Sequence, residues 1–122
     1  MSGLGDLRTA VADALAPLGL NTYTHLPGRA ALPCAMVIAG SPYIEQGQTF
    51  GERLFRFGVL VASQTGENNS ETSALDELIE AAVAALESDG WLVEQVAQPF
   101  LQEFNNAQAL GTLITVSAFG TL

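Results

Sequence analysis

Apolar positions near the start of the chain recur at steps of three and four. Leu4, Leu7, Val11, Ala14, Leu15 and Leu18 share one stripe, while Asp6, Arg8, Thr9 and Asp13 take the other side. That spacing matches the 3.6-residue turn of an α-helix and predicts one over about residues 4–16. Pro17 and Gly19 stop it, since proline removes a ladder donor and glycine accepts the backbone that follows a helix. The same pattern is stronger over residues 71–88, where Leu75, Leu78, Ile79, Ala82, Val83 and Leu86 occupy every expected core position. Asn69, Ser70 or Ser73 can cap that second helix. Glu71, Asp76 and Glu77 sit near the positive end of its dipole, and Asp89-Gly90 closes it.

Elsewhere the period changes to two. Residues 53–62 set Phe55, Phe57, Val59 and Val61 on one face and Leu54, Arg56, Gly58 and Leu60 on the other. This predicts a strand with one core face and one mixed face, solvated or covered by a partner. Pro33 introduces the apolar run Cys34–Ala39, short enough for a buried strand. Gly40-Ser41-Pro42 punctuates it, and another strand is expected from about Tyr43. Asn21–His25 reads as a short strand, and Leu26-Pro27-Gly28-Arg29 has Pro and Gly at the central positions of a type II turn. Later, Trp91–Val96 reads as a strand that Pro99 confines to an edge or a bulge. Phe100–Phe104 pairs with Leu110–Phe119 in a hairpin around Asn105-Asn106-Ala107. The sum is an α+β fold, a small mixed or antiparallel sheet flanked by two helices in the order α-β-β-β-α-β-β. Regular βαβ crossovers cannot give that order. No repeat or linker divides residues 1–122, which suit a single domain.

At 48% hydrophobic residues the chain can build a core. It has no apolar run of membrane-spanning length, and MSGLGDLRTAV lacks the charged start and apolar centre of a signal peptide. A soluble protein that stays where it is made is expected. The single cysteine, Cys34, cannot close an internal disulfide, in keeping with a reducing cytosol. Asn68-Asn69-Ser70 matches a glycosylation pattern but has no secretion signal behind it.

Charge changes the picture more. Arg8, Arg29, Arg53 and Arg56 are the only basic residues, and they balance Asp6, Asp13, Glu45 and Glu52. The rest of the chain holds acids and no base, so residues 57–122 carry the whole net charge of −9. Sequence-independent nucleic-acid binding needs Lys and Arg to neutralise phosphates, so direct DNA or RNA binding is not expected. A basic protein partner, or a surface that repels DNA, fits the charge.

Candidate chemistry is sparse. Cys34 and the only histidine, His25, are nine residues apart in the sequence, and such a pair can be catalytic when the imidazole lowers the thiol pKa. A cysteine opening an apolar strand is more simply a small hydrophobe, and a histidine beside a Pro-Gly turn a surface residue. One His and one Cys cannot furnish a zinc site. The acids Glu71, Asp76, Glu77, Glu80 and Glu87 read as the solvated face of the second helix. A phosphate-binding Walker loop and a Schiff base both need a lysine, and the chain has none. Neither enzymatic activity, a cofactor nor a metal site is expected.

Four stretches carry a resemblance. They are LRTAVADAL near the start, GSPYIEQGQTFGERLFRFGVLV over residues 40–61, TSALDELIEAAVAALESDGW running into Trp91, and QPFLQEFNNAQALGTLITVSA near the end. In their order and spacing, over nearly the full chain, they resemble the tail terminator (tail-to-head joining) proteins of siphovirus-type bacteriophages. The resemblance implies a structural virion protein without catalytic residues. Copies of it would form a ring, commonly a hexamer, that caps the tail tube and joins it to the head connector or stopper protein. It would reside at the head–tail junction of the virion and, during assembly, in the host cytoplasm, with no membrane partner. An acidic lumen in such a ring would repel passing DNA rather than hold it.

On that reading Arg53, Arg56 and Arg29 reach acids on a neighbouring copy, with Glu77 and Glu80 as candidates. The loop formed by Glu45, Gln46, Gly47, Gln48 and Glu52 touches an adjacent subunit, the tube or the connector. The alternatives are a head-completion or stopper protein of the connector and, in a different class, a small acidic inhibitor or immunity protein that binds a basic partner.

Overall fold

A computed structural model of the chain describes residues 3–19, 21–24, 33–47, 51–63, 68–104 and 107–120; for 3, 68–74, 101–104 and 107–109 it describes the backbone only. Helix α1 spans Gly3–Leu15 and runs into a 3-10 turn at Ala16–Leu18. Gly19 then takes the left-handed conformation (φ 78°) and returns its N–H to the Ala16 carbonyl. Strands β1 (Asn21–Tyr23), β2 (Cys34–Gln46) and β3 (Arg53–Ala62) follow, then α2 (Asn68–Ser88), β4 (Leu92–Val96), β5 (Phe100–Phe104) and β6 (Ala107–Gly120). The fold is a small mixed α+β one; the three strands read individually after α2 are all present, although the expected order counted two.

The six-stranded sheet runs β1-β2-β3-β6-β4, and β5 joins the β4 edge of β6 further along. Among the described strands only β1–β2 is parallel. Where two strands are expected on either side of Gly40-Ser41-Pro42, the structure has one. Ala39 pairs with Phe57 and Ile44 with Phe55, so residues 40–43 loop out opposite the single residue Arg56. Proline and glycine do break the ladder there, but the bulge absorbs them and pairing resumes. The Ser41–Pro42 peptide is cis.

Both helices cover one face of the sheet. Val11 and Leu15 of α1 and Leu75, Ala82 and Leu86 of α2 pack on Ala35, Val37, Phe55, Phe57, Val59, Val61, Ile114 and Val116. Each such aliphatic or phenylalanine side chain withdrawn from water contributes about 1.5–3 kcal/mol. Phe57 is the centre of an aromatic group. Tyr43 and Trp91 each meet it edge-to-face, with ring centroids 5.7 and 5.9 Å away. The end of α2 delivers Trp91 to that position. Gly90 turns left-handed (φ 90°), and the Trp91 N–H returns to the Leu86 carbonyl at 3.0 Å. Arg8 ties α1 to the sheet by donating to the Tyr43 hydroxyl at 2.7 Å.

The far face, turned away from the helices, is graded. At one end Cys34, Met36, Leu60 and Ala62 form a second buried cluster with Tyr23 and Leu113 against it. At the other end, toward Arg53, apolar side chains stand in solvent. The mixed face expected of residues 54–60 is therefore closed at its Leu60 end and open at its Leu54 end. The helix-capping residues Asn69, Ser70 and Ser73 fall where only backbone is described, and α2 begins earlier than expected, at Asn68. The proposed type II turn, His25, Arg29, Gln48 and the Asn105-Asn106 turn lie outside the described residues. Ala107, expected in that turn, is the first residue of β6. Among the described residues no helix is long and apolar enough to cross a membrane.

Candidate interaction surface

The most concentrated polar feature sits on the far face, and two irregularities in the sheet build it. The bulge in β2 lets pairing resume so that Glu45 lies opposite Leu54. A second irregularity in β4 leaves Glu94 between the paired residues Val93 and Gln95. Both carboxylates thereby reach Arg56 from opposite sides. Its Nε and Nη2 donate to the two oxygens of Glu94 at 2.8 and 3.1 Å. Its Nη1 donates to Glu45 Oε1 at 2.5 Å and to the Pro42 carbonyl at 3.1 Å. One guanidinium thus fastens β2, β3 and β4 together across the intervening β6. Gly40 is what allows the close approach, because a Cβ there would stand 2.6 Å from Arg56 Cγ and 2.8 Å from its backbone.

The electrostatics follow from that geometry. Hydrogen bonds donated to Glu94 first and Glu45 second hold Arg56 protonated well above its already high range. The Arg56 guanidinium in turn holds the Glu94 carboxyl below its ordinary value, partly opposed by desolvation. Ser117 faces Arg56 across the β3–β6 ladder, and among the described residues its buried hydroxyl has no hydrogen-bond partner within ordinary geometry. It nonetheless lies near enough to Glu94 to favour the charged carboxylate slightly. The side chains of Arg56, Glu94 and Glu45 are 11, 26 and 44% exposed, so solvent screens the pairs and each contributes at most about 1 kcal/mol.

Beside the triad lies a groove of about 480 Å³, bounded by Gly40, Pro42, Glu45, Arg56, Glu94 and Thr115 among others. Its floor is low because residue 58 is glycine; a Cβ there would stand 3.0 Å from Leu113 Cδ1 and 3.2 Å from Ile38 Cγ1. Next to the triad are Leu92 and Phe119, 61 and 52% exposed. Leu92 pairs with Ser117, two residues from Phe119, and Phe119 pairs with the half-buried Leu54. Together they make an apolar patch beside an ion cluster with two acids and one base.

The sequence-derived candidates divide between two places. Glu45, Gln46, Gly47, Glu52 and Arg53 come together at the end of the β2–β3 hairpin. There the Gly47 N–H bonds the Glu52 carbonyl at 2.8 Å, and Gly51 adopts φ 86°. Arg53 Nη1 is held by the Glu52 carbonyl at 3.1 Å and, more loosely, by Gln46 Oε1 at 3.4 Å. Glu77 and Glu80 are exposed on α2, which packs on the opposite face of the sheet from Arg56. Arg56 finds its acids within its own chain, in Glu45 and Glu94 rather than Glu77 or Glu80.

Glu94, Ser117, Leu92 and Phe119 are the residues that the sequence reading did not single out. The usable signal for Glu94 was Pro99, which marks the strand as irregular. Which face a bulged residue takes, however, depends on its register with β6. Cys34 is fully buried, and burial pushes its thiol up to about 11, so it packs rather than reacts. No protein-family model matches the chain, and no curated protein matches it.

Proposed function

We propose that this chain is a structural subunit of a tail-terminator type, six copies of which join head-to-tail in a ring that closes a phage tail tube against the head connector or stopper. The observation that carries the reading is the separation of unlike surfaces. The hairpin end with Arg53 lies at one margin of the sheet, and the exposed acids Glu77 and Glu80 lie on the helix layer. A heterologous contact needs such a pair, because a surface that meets a different surface can repeat around a ring. Arg53 is the arginine suited to the contact, since its hold on Gln46 is long and exposed. Arg56, with every nitrogen bonded, serves the subunit's own geometry. The four sequence stretches that resemble tail terminators add the kind of assembly, and the net charge of −9 suits a passage that repels DNA.

Mass photometry of the full chain, alone and with its tube partner, tests this. A ring is expected in at least the second case, and Arg53→Glu should reduce it while leaving a folded monomer. Undiminished rings in that variant refute the Arg53 assignment. A chain that stays monomeric with the tube protein refutes the ring. The acid excess favours one other reading, an inhibitor of a basic protein, and that reading requires a monomer or dimer.

A further inference from the structure

We infer that the open end of the far face, made by Leu54, Leu92 and Phe119 beside the Arg56 triad, is a docking surface for a basic protein segment that also carries apolar side chains. The inference goes beyond the ring reading and does not depend on it.

Three observations meet at this place. Leu92 and Phe119 stand mostly in solvent although the strands that bear them also contribute Val93, Val116 and Ala118 to the helix-covered core. Isolated exposed apolar residues are ordinary, but these two and Leu54 are neighbours across paired strands. Next, the groove of about 480 Å³ adjoins the patch and is open to solvent on the same face. Its guanidinium is largely spent, with four of its five N–H groups bonded to Glu94, Glu45 and the Pro42 carbonyl. An anion would find one remaining N–H between two carboxylates that repel it, whereas the outward lone pairs of Glu45 and Glu94 remain to accept from a cation. Two carboxylates against one guanidinium leave the rim negative. Charge complementarity therefore selects a Lys- or Arg-bearing partner and disfavours nucleic-acid phosphates and anionic lipid surfaces alike.

The same accounting argues against a second copy as the occupant. Among the described residues Arg8 is bound to Tyr43 and Arg56 to its two acids, which leaves Arg53, loosely held by Gln46 and the Glu52 carbonyl, as the single cation a copy could offer. A further copy brings the same acid excess to the patch, and no lysine. A different protein supplies the missing cations.

The test uses the full chain and a blocked pentapeptide alternating leucine and arginine, followed by amide and methyl chemical shifts. Two control peptides replace arginine by glutamate or leucine by serine. Saturable shifts are expected at Leu54, Leu92, Glu94 and Phe119, with weaker binding of the serine peptide and none of the glutamate peptide. Leu92→Ser with Phe119→Ser should weaken binding at least about tenfold, because both apolar anchors are lost. Both positions are exposed, so the variant should keep the dispersed amide spectrum of the parent. Asp76→Asn with Glu87→Gln, exposed acids on α2, should leave binding unchanged. The inference is overturned by shifts confined to α2, by equal binding of the acidic peptide or of the Leu92/Phe119 variant, or by no binding up to the solubility of the peptide. Self-association that Phe119→Asp abolishes would also overturn it, by showing that a second copy covers the patch.

Discussion

The two faces of the sheet are built from the same strands and have opposite fates. In β3, Phe55, Phe57, Val59 and Val61 are sealed beneath two helices, whereas Leu54 and Arg56, alternating with them, look onto the open end of the far face. Side chains of similar size therefore do different work according to parity. A residue's contribution to stability follows its cover, and its availability to a partner follows the lack of one.

The sharpest way to break this contrast is to truncate one aromatic on each face. Phe57→Ala removes a fully buried ring and its edge-to-face contacts with Tyr43 and Trp91, and should cost about 3–5 kcal/mol in urea denaturation. Gly40→Ala comes next. Its new Cβ collides with Arg56 backbone and side chain, and an overpacked bulge should cost about 1–3 kcal/mol in the same assay.

A smaller effect is expected for Arg56→Met, about 1 kcal/mol, because the ion cluster is partly exposed. Its signature is in the pH dependence. The Glu94 carboxyl is depressed in the folded state, so the unfolded chain binds more protons in acid. The stability it lends is present above the ordinary carboxyl value of 4.5 and is lost as pH falls through the lower, folded value. Denaturation midpoints measured on the acid side of pH 4.5 should therefore decline less steeply in Arg56→Met than in the parent. Phe119→Ser should be the smallest, within about 0.5 kcal/mol, although it deletes as large a ring as Phe57→Ala. A substantial loss of stability in Phe119→Ser would mean that the far face is part of the core.

What could be read from the sequence is what depends on neighbours along the chain. The α2 stripe and the alternation of residues 53–62 needed only helical and strand periods, and β3 has the expected bounds. The Pro99 signal correctly marked β4 as an irregular edge strand. Gly40-Ser41-Pro42 misled because a ladder interruption looks alike in sequence whether the strand ends or loops out and resumes. The hairpin end of the candidate surface was legible for the same local reason. The triad was not, since Glu45, Arg56 and Glu94 meet only through two bulges and the β6 register between them.

That register gives β6 a further consequence, in the order of events during synthesis. Every strand from β3 onward borders β6, with Arg53 paired to Gly120 and Ala62 to Gly111. While the chain emerges, β2 and β3 can form their hairpin early, yet β3 keeps an unsatisfied edge until β6 arrives. Such distant pairing slows closure and leaves a sticky strand exposed meanwhile. The nascent protein is thus most vulnerable to aggregation just before its sheet is completed.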